Sequence, residues 1–227
     1  MKVLILLTSY RQLEELKLWG EFLNTDKLKH ARTWDIMVMM NNIWSDITKL
    51  GQYFQELPNE NKTLVFTSKN KGYTFGQAAL WAEYYNYFKK YDFIIHHSID
   101  VFITDDSIIN NILEYFYISK REEVFIVNKQ FELDDRAGKT IATELFIFRP
   151  KLLKDNIFKD FENYYDKYNH NLGGTEEILF DIIKQRNIPH IYIKRFDNDY
   201  WTPRRIDLWN CWHEHDLDKI KKYLNHY

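Results

Sequence analysis

The chain has 227 residues, 45% of them hydrophobic and 17% aromatic, enough to build one large α/β domain with a good core or two small domains, and no linker divides it. Its 31 basic and 33 acidic residues nearly balance, which argues against a general nucleic-acid binder with a clustered basic excess. The single cysteine, Cys211, excludes an internal disulfide and argues against a cysteine-based zinc site, as suits a reducing cytoplasm.

Met1 to Leu7 is apolar but short and runs straight into Thr8-Ser9-Tyr10-Arg11, so it reads as a first strand rather than a signal peptide. No other stretch approaches membrane-spanning length, so any membrane contact is expected to be peripheral. A helix is predicted from about Gln12 to Leu23, and strand, polar turn, helix is how a nucleotide-binding α/β domain starts. Thr8 or Ser9 would equally serve as a plain helix cap. Asp35 to Met40 reads as a second strand ending in Asn41-Asn42, followed by a helix over Ile43 to Leu57 and a third strand over Thr63 to Thr67.

Asn70-Lys71-Gly72-Tyr73-Thr74-Phe75-Gly76-Gln77 places two of the chain's seven glycines four apart at a helix entrance. Glycines there let backbone approach a phosphate or sugar, and free helix-start amides favour an anion, to which Lys71 would add charge. The same glycines also suit a simple turn into a helix. The following helix runs to Lys90, and its Trp81, Tyr84, Tyr85, Tyr87 and Phe88 are expected to face the core.

Phe93 to Ile95 is a buried strand by its unbroken apolar run, and polar groups follow at once. His97, Ser98 and Asp100 are expected to emerge beyond the strand's carboxyl end, where ligands sit in open α/β sheets. Asp100 is framed by a second apolar segment, Val101-Phe102-Ile103, so its carboxylate must be paired, hydrogen-bonded or metal-bound. A helix to about Ser119, a strand over Glu123 to Asn128, a polar loop with Asp134 and Asp135, and a strand over Thr143 to Pro150 come next. Thr175-Glu176-Glu177 reads as a helix start, since carboxylates in a first turn interact favourably with the helix dipole. Ile188 to Ile193 is a late strand. The tail carries Arg204-Arg205 and a His213-Glu214-His215 pair, then a last helix over Leu217 to Leu224 that His215-Asp216 would also suit as a cap.

The Ser98-Ile99-Asp100 segment resembles the metal-binding DxD region of GT-A-fold nucleotide-sugar glycosyltransferases, with Asp100 as the second acid and Ser98 in place of the first. Within that fold it is similar to the small glycosyltransferases of large algal viruses and of bacterial polysaccharide gene clusters. The resemblance implies one GT-A-like (Rossmann-like) α/β domain over 1–227, with a mixed, mostly parallel central sheet flanked by helices. Residues 1–106 would form the nucleotide-sugar half, and 107–227 the acceptor side and tail. It implies a metal-dependent hexosyl- or deoxyhexosyltransferase using Mn²⁺ or Mg²⁺, moving a sugar from a UDP- or GDP-sugar to a glycan hydroxyl with inversion, in a bacterial or host cytoplasm.

By the same resemblance Thr8, Ser9, Tyr10 and Arg11 would meet the base or ribose, and Asn41 would stand where many relatives carry an acid for the base. Asn70, Lys71, Gly72 and Gly76 would line the donor, with Ser98 beside it. His213 or His215 would join Asp100 at the metal, and Arg204 and Arg205 would clamp the diphosphate. Glu177, with Glu176 as alternate, would take the acceptor's proton. The missing first acid and Asn41 keep a second reading open, a nucleotide- or glycan-binding module without turnover. A nucleotidyltransferase ranks last, because no glycine follows the first strand.

Overall fold

The structure, a computed structural model, describes residues 1–9, 12–41, 46–67, 73–127, 130–132, 139–141, 143, 145–164, 174–193, 209, 211–213 and 216–224. Seven strands form the main sheet in the order β10-β6-β9-β4-β1-β2-β3. They are β1 (Val3–Ser9), β2 (Asp35–Met40), β3 (Lys62–Phe66), β4 (Phe93–Ser98), β6 (Phe125–Val127), β9 (Leu145–Phe148) and β10 (His190–Tyr192). Two short pairs lie outside it: β5 (Val101–Ile103) with β11 (Cys211–His213), and β7 (Gln130–Glu132) with β8 (Lys139–Ile141). β1 pairs in parallel with β2 and β4, β2 with β3, and β6 with β10; β9 alone in this sheet runs antiparallel to its neighbours, β4 and β6. The sheet is therefore mixed and mostly parallel, as expected from the sequence.

Alternation along the central strands builds two apolar layers, because successive side chains leave a strand on opposite faces. Ile5 and Leu7 of β1, with Phe93 and Ile95 of β4, pack against α1 (Leu13–Leu23), α2 (Ile47–Glu56) and α4 (Ser107–Ile118). Leu4, Leu6 and Ile94 face α3 (Tyr73–Phe88), α5 (Gly174–Gln185) and the 3-10 segment Ile157–Tyr164. α6 (Leu217–Leu224) closes on the first layer through Ile220. Trp81 of α3 lies among Phe146, Phe158 and Phe161, and Trp81, Tyr85 and Phe88 are buried, so that helix's aromatic face is core. Each such burial contributes on the order of 2 kcal/mol or more.

Chain order determines where a ligand can enter. From β1 the chain builds outward to β2 and β3, then crosses to the other side of β1 to lay down β4. β1 and β4 therefore flank the topological switch point, and the crevice beyond their carboxyl ends is where open α/β sheets receive ligands.

Candidate active site

The carboxyl ends of β1 and β4 are paired Leu7 to His97 and Thr8 to Ser98. Ser98 closes β4, and Ile99-Asp100 turns the chain into β5. Both peptide groups of Ile99 are tied down: its N–H donates to the Thr8 carbonyl (2.9 Å), and its carbonyl accepts from the Trp19 indole Nε1–H (2.9 Å). This anchors the turn that carries Asp100, a residue 8% exposed. β11 runs antiparallel beside β5 with His213 opposite Val101, so the backbone of His213 lies beside the residue that follows Asp100.

His97 does not emerge at the strand end as expected. β4 continues to Ser98, and the even count from Phe93 sends the His97 ring into the first apolar layer, edge-on to Trp19 at 5.4 Å between ring centroids. It is fully buried, and neither ring nitrogen has a hydrogen-bond partner. Burial holds its pKa down to about 3. His96 points to the other layer, stacked on Phe146 at 4.7 Å and edge-on to Trp81 at 4.9 Å. Burial first, and the neighbouring His97 second, hold His96 well below the ordinary histidine range; the Thr143 backbone acts in the opposite sense. Two adjacent neutral histidines thus occupy the two faces of one strand.

The hydroxyl of Thr8 is taken up inside the molecule. It lies 2.9 Å from His96 Nε2 and accepts from the side-chain amide of Gln77, which also reaches His96 Nε2 at 2.6 Å. Ser9 Oγ accepts the Gln12 N–H at 3.3 Å, but Gln12 is itself the N-cap of α1 and no side chain caps that helix, so neither Thr8 nor Ser9 is the helix cap expected from the sequence. The Asn41 N–H donates to the Ser9 carbonyl at 2.8 Å, extending the β1–β2 ladder, and Thr67 Oγ1 donates to Asn41 Oδ1 at 3.4 Å. Gly76 lies within the first turn of α3 rather than in a loop before it, packed directly on the Asn41 amide.

Because β9 is antiparallel, its first residue lies beside the carboxyl end of β4, with Leu145 opposite His97. Thr143, just before it, donates its hydroxyl to Glu176 Oε1 at 2.6 Å. Glu176 and Glu177 are both half-buried in the first turn of α5, and Glu176 is thereby tied to this edge of the sheet.

Thr8, Ser9, Asn41, Gly76, Ser98, Asp100, Glu176 and the backbone of His213 therefore gather at one edge. Tyr10, Arg11, Asn70, Lys71, Gly72, His215, Arg204, Arg205, Asp134 and Asp135 lie outside the described residues. Sequence reasoning did not single out Gln77, Thr143 and Trp19 for the site. The one visible signal was His96, a polar residue inside an otherwise apolar strand.

No protein-family model matches the sequence, and no curated protein matches it. Solved structures do resemble the fold. A complex of the galactosyltransferase LgtC with donor and acceptor sugar analogs is similar over 98% of this chain and 95% of that one, with TM-score 0.57 and 11% identity. The glycosyltransferase GlyE of Streptococcus pneumoniae TIGR4 matches 84% of this chain and 45% of its own, with TM-score 0.53 and 11% identity. The mannosyltransferase PcManGT of Pyrobaculum calidifontis, in complex with GDP-Man and Mn²⁺, matches 85% and 54%, with TM-score 0.51 and 10% identity. The chain spans about half the length of GlyE and PcManGT. Its fold is the GT-A fold of nucleotide-sugar glycosyltransferases.

Proposed function

We propose that this protein is a metal-dependent glycosyltransferase, moving a hexosyl or deoxyhexosyl group from a UDP- or GDP-sugar to a glycan hydroxyl. The observation that carries this is the placement of Ser98 and Asp100 at the end of β4, against β1, at the sheet's topological switch point. The solved LgtC and PcManGT complexes, with their sugar ligands, support the substrate class.

The residues present fit a divalent cation of the open kind. Asp100 is a buried carboxylate on an anchored turn, with Ser98 two residues before it and the His213 backbone alongside. No group of three or more His, Cys, Asp or Glu gathers among the described residues. Mg²⁺ and Mn²⁺ suit that arrangement, since they bind through one or two carboxylates and complete their shell with substrate phosphates and water. Asp100 would hold the ion, with Ser98, His213 and His215 contributing, and the bound ion would supply charge neutralisation at the leaving diphosphate.

In the transfer, the acceptor oxygen attacks the anomeric carbon, the carbon–oxygen bond to the diphosphate breaks, and the acceptor's proton passes to a carboxylate. Glu176 and Glu177 are the candidates for that base in a single displacement with inversion. Glu176 has the better claim, because Thr143 fixes it at the sheet edge. Ser9 and Asn41 would border the nucleotide, with Tyr10, Arg11, Asn70, Lys71 and Gly72 completing its site and Arg204 and Arg205 meeting the diphosphate. We place the activity in the cytoplasm, at most peripherally attached to a membrane; no helix among the described residues is long and apolar enough to cross one.

The test is turnover and thermal shift with a panel of nucleotide sugars and Mn²⁺, in wild type and Asp100→Ala. Metal-dependent donor hydrolysis or transfer that Asp100→Ala abolishes supports the enzyme. The second reading, a binding module of the same fold, draws on Ser98 standing where a second acid would strengthen the metal site. Nucleotide-dependent stabilisation without turnover in either protein would favour it.

A further inference from the structure

Gln77 lies one residue into α3 from Gly76, and its amide is directed into the crevice between the two central strands. It contacts Thr8 Oγ1 on β1 and His96 Nε2 on β4, the latter at 2.6 Å, while Thr8 Oγ1 and His96 Nε2 are themselves 2.9 Å apart. Three elements, α3, β1 and β4, thus meet at one polar point inside an apolar layer. The His96 ring is sealed by Phe146 and Trp81, so Gln77 and Thr8 are the polar groups that meet its Nε2.

The orientation of the Gln77 amide decides where the His96 proton sits. An amide NH₂ only donates, so a nitrogen that receives it must present a lone pair. With the Gln77 NH₂ turned toward it, His96 Nε2 is unprotonated and the ring carries its hydrogen on Nδ1, which is buried and makes no hydrogen bond among the described residues; the Thr143 backbone is the polar group that acts on the ring. Thr8 Oγ1 accepts from Gln77, and its own hydrogen is free to point to the His97 carbonyl, 3.4 Å away. The Thr143 hydroxyl in turn donates to Glu176. The starts of α3 and α5, which pack on the same face of the sheet, are therefore both tied to its edge, α3 at β1 and β4 and α5 just before β9.

We propose that Gln77 is a positioning residue: it holds His96 as the Nδ1–H tautomer and pins the first turn of α3 to the β1–β4 crevice, where a nucleotide donor binds. The part concerning the donor rests on the glycosyltransferase reading; the tautomer does not. Gln77 touches no reacting atom. Its removal leaves Ser98 and Asp100 in place but frees the wall of the crevice, so it weakens donor binding more than it slows the chemical step.

Two measurements on the full chain test this. Long-range ¹H–¹⁵N correlation NMR of ¹⁵N-histidine-labelled wild type should show a fully buried neutral histidine with unprotonated Nε2. That histidine is assigned by its loss in His96→Gln. A protonated Nε2 in the folded wild type overturns the proposal, whatever the activity. In Gln77→Leu the signal should shift, affinity for UDP or GDP by calorimetry should fall roughly tenfold, and donor KM should rise by a similar factor with kcat within about threefold. Wild-type affinity and KM in Gln77→Leu, accompanied only by a lower Tm, would show a merely structural role and overturn it. Should Gln77→Leu fail to fold, the wild-type tautomer together with Gln77→Glu decides. That variant keeps the shape but can only accept, and so should move the hydrogen to Nε2; an unmoved hydrogen overturns the proposal. No nucleotide binding by wild type itself would instead sink the glycosyltransferase reading.

Discussion

The side-chain amide of Asn41, at the end of β2, occupies the space that a Cβ on Gly76 would need: such an atom would lie only 2.8 Å from Asn41 Cγ. Two residues far apart in the chain thereby fix how closely the first turn of α3 approaches the sheet. Alanine at an exposed helical glycine normally stabilises by up to about 1 kcal/mol. Here it must displace a buried amide, and overpacking costs on the order of 1–3 kcal/mol. Gly76→Ala is therefore expected to destabilise, and Gly76→Ala combined with Asn41→Ala to recover part of that loss. A double-mutant cycle by urea denaturation, read as a coupling of about 1 kcal/mol or more, checks it; strict additivity would show that the contact does not matter.

The two buried histidines make stability depend on pH. His97 has its folded pKa lowered to about 3 and His96 is lowered well below 6.5, so the unfolded chain binds more protons than the folded one below the ordinary histidine value. Stability is full above about pH 6.5 and falls as pH drops from there toward 3. For His97 alone the loss from pH 7 to pH 5 is about 2 kcal/mol. The carboxylates lowered among the described residues, Glu14, Asp92, Asp105 and Glu123, start from ordinary values of 4.5, 3.8, 3.8 and 4.5, so they act mainly below that window. Denaturation of His97→Leu at pH 7 and pH 5 should show a shallower dependence than wild type. An equal slope would mean that the ring finds a charged or hydrated state the structure does not show.

Trp19→Phe keeps the ring that packs on His97 and Phe102 but removes the indole N–H that holds the Ile99 carbonyl. A buried carbonyl left without its donor costs about 1–3 kcal/mol. Since that carbonyl belongs to the turn bearing Asp100, Mn²⁺ affinity is expected to fall several-fold alongside stability. Calorimetric titration of Mn²⁺ in the presence of nucleotide would read this directly, and unchanged affinity would separate the turn from the ion.

Asp106, 2% exposed, accepts the backbone N–H groups of His30 and Ala31, each at 2.8 Å, and so ties the segment before β2 to the start of α4. Asp106→Ala strands two amides at once, and a loss on the order of 3 kcal/mol is expected in chemical denaturation. Asp106→Asn, which keeps one acceptor oxygen, should lose less. Neither of these contacts involves a residue of the candidate site, so nucleotide affinity should survive in both.

The sequence by itself determined the layered α/β fold. Unbroken apolar runs such as Val3 to Leu7 and Phe93 to Ile95 suit buried strands, and Trp81, Tyr85 and Phe88 at helical spacing suit a helix that covers them. It also showed that polar groups collect after strands, at Ser9, Asn41 and Asp100, because a strand's end and a helix's first turn carry local signals that neighbours in sequence supply. Tertiary structure alone decided which of those groups remain for a ligand. Thr8 is engaged by Gln77 and His96, residues 69 and 88 positions away, and Gly76 is filled by Asn41. His97 turned inward because β4 extends to Ser98, and its face is set by pairing with Leu7 and Leu145. Glu176 was joined to the sheet edge by Thr143 only because β9 reverses direction. Strand order and register depend on contacts between segments far apart in the chain, and the pattern of any one segment carries no record of its partner.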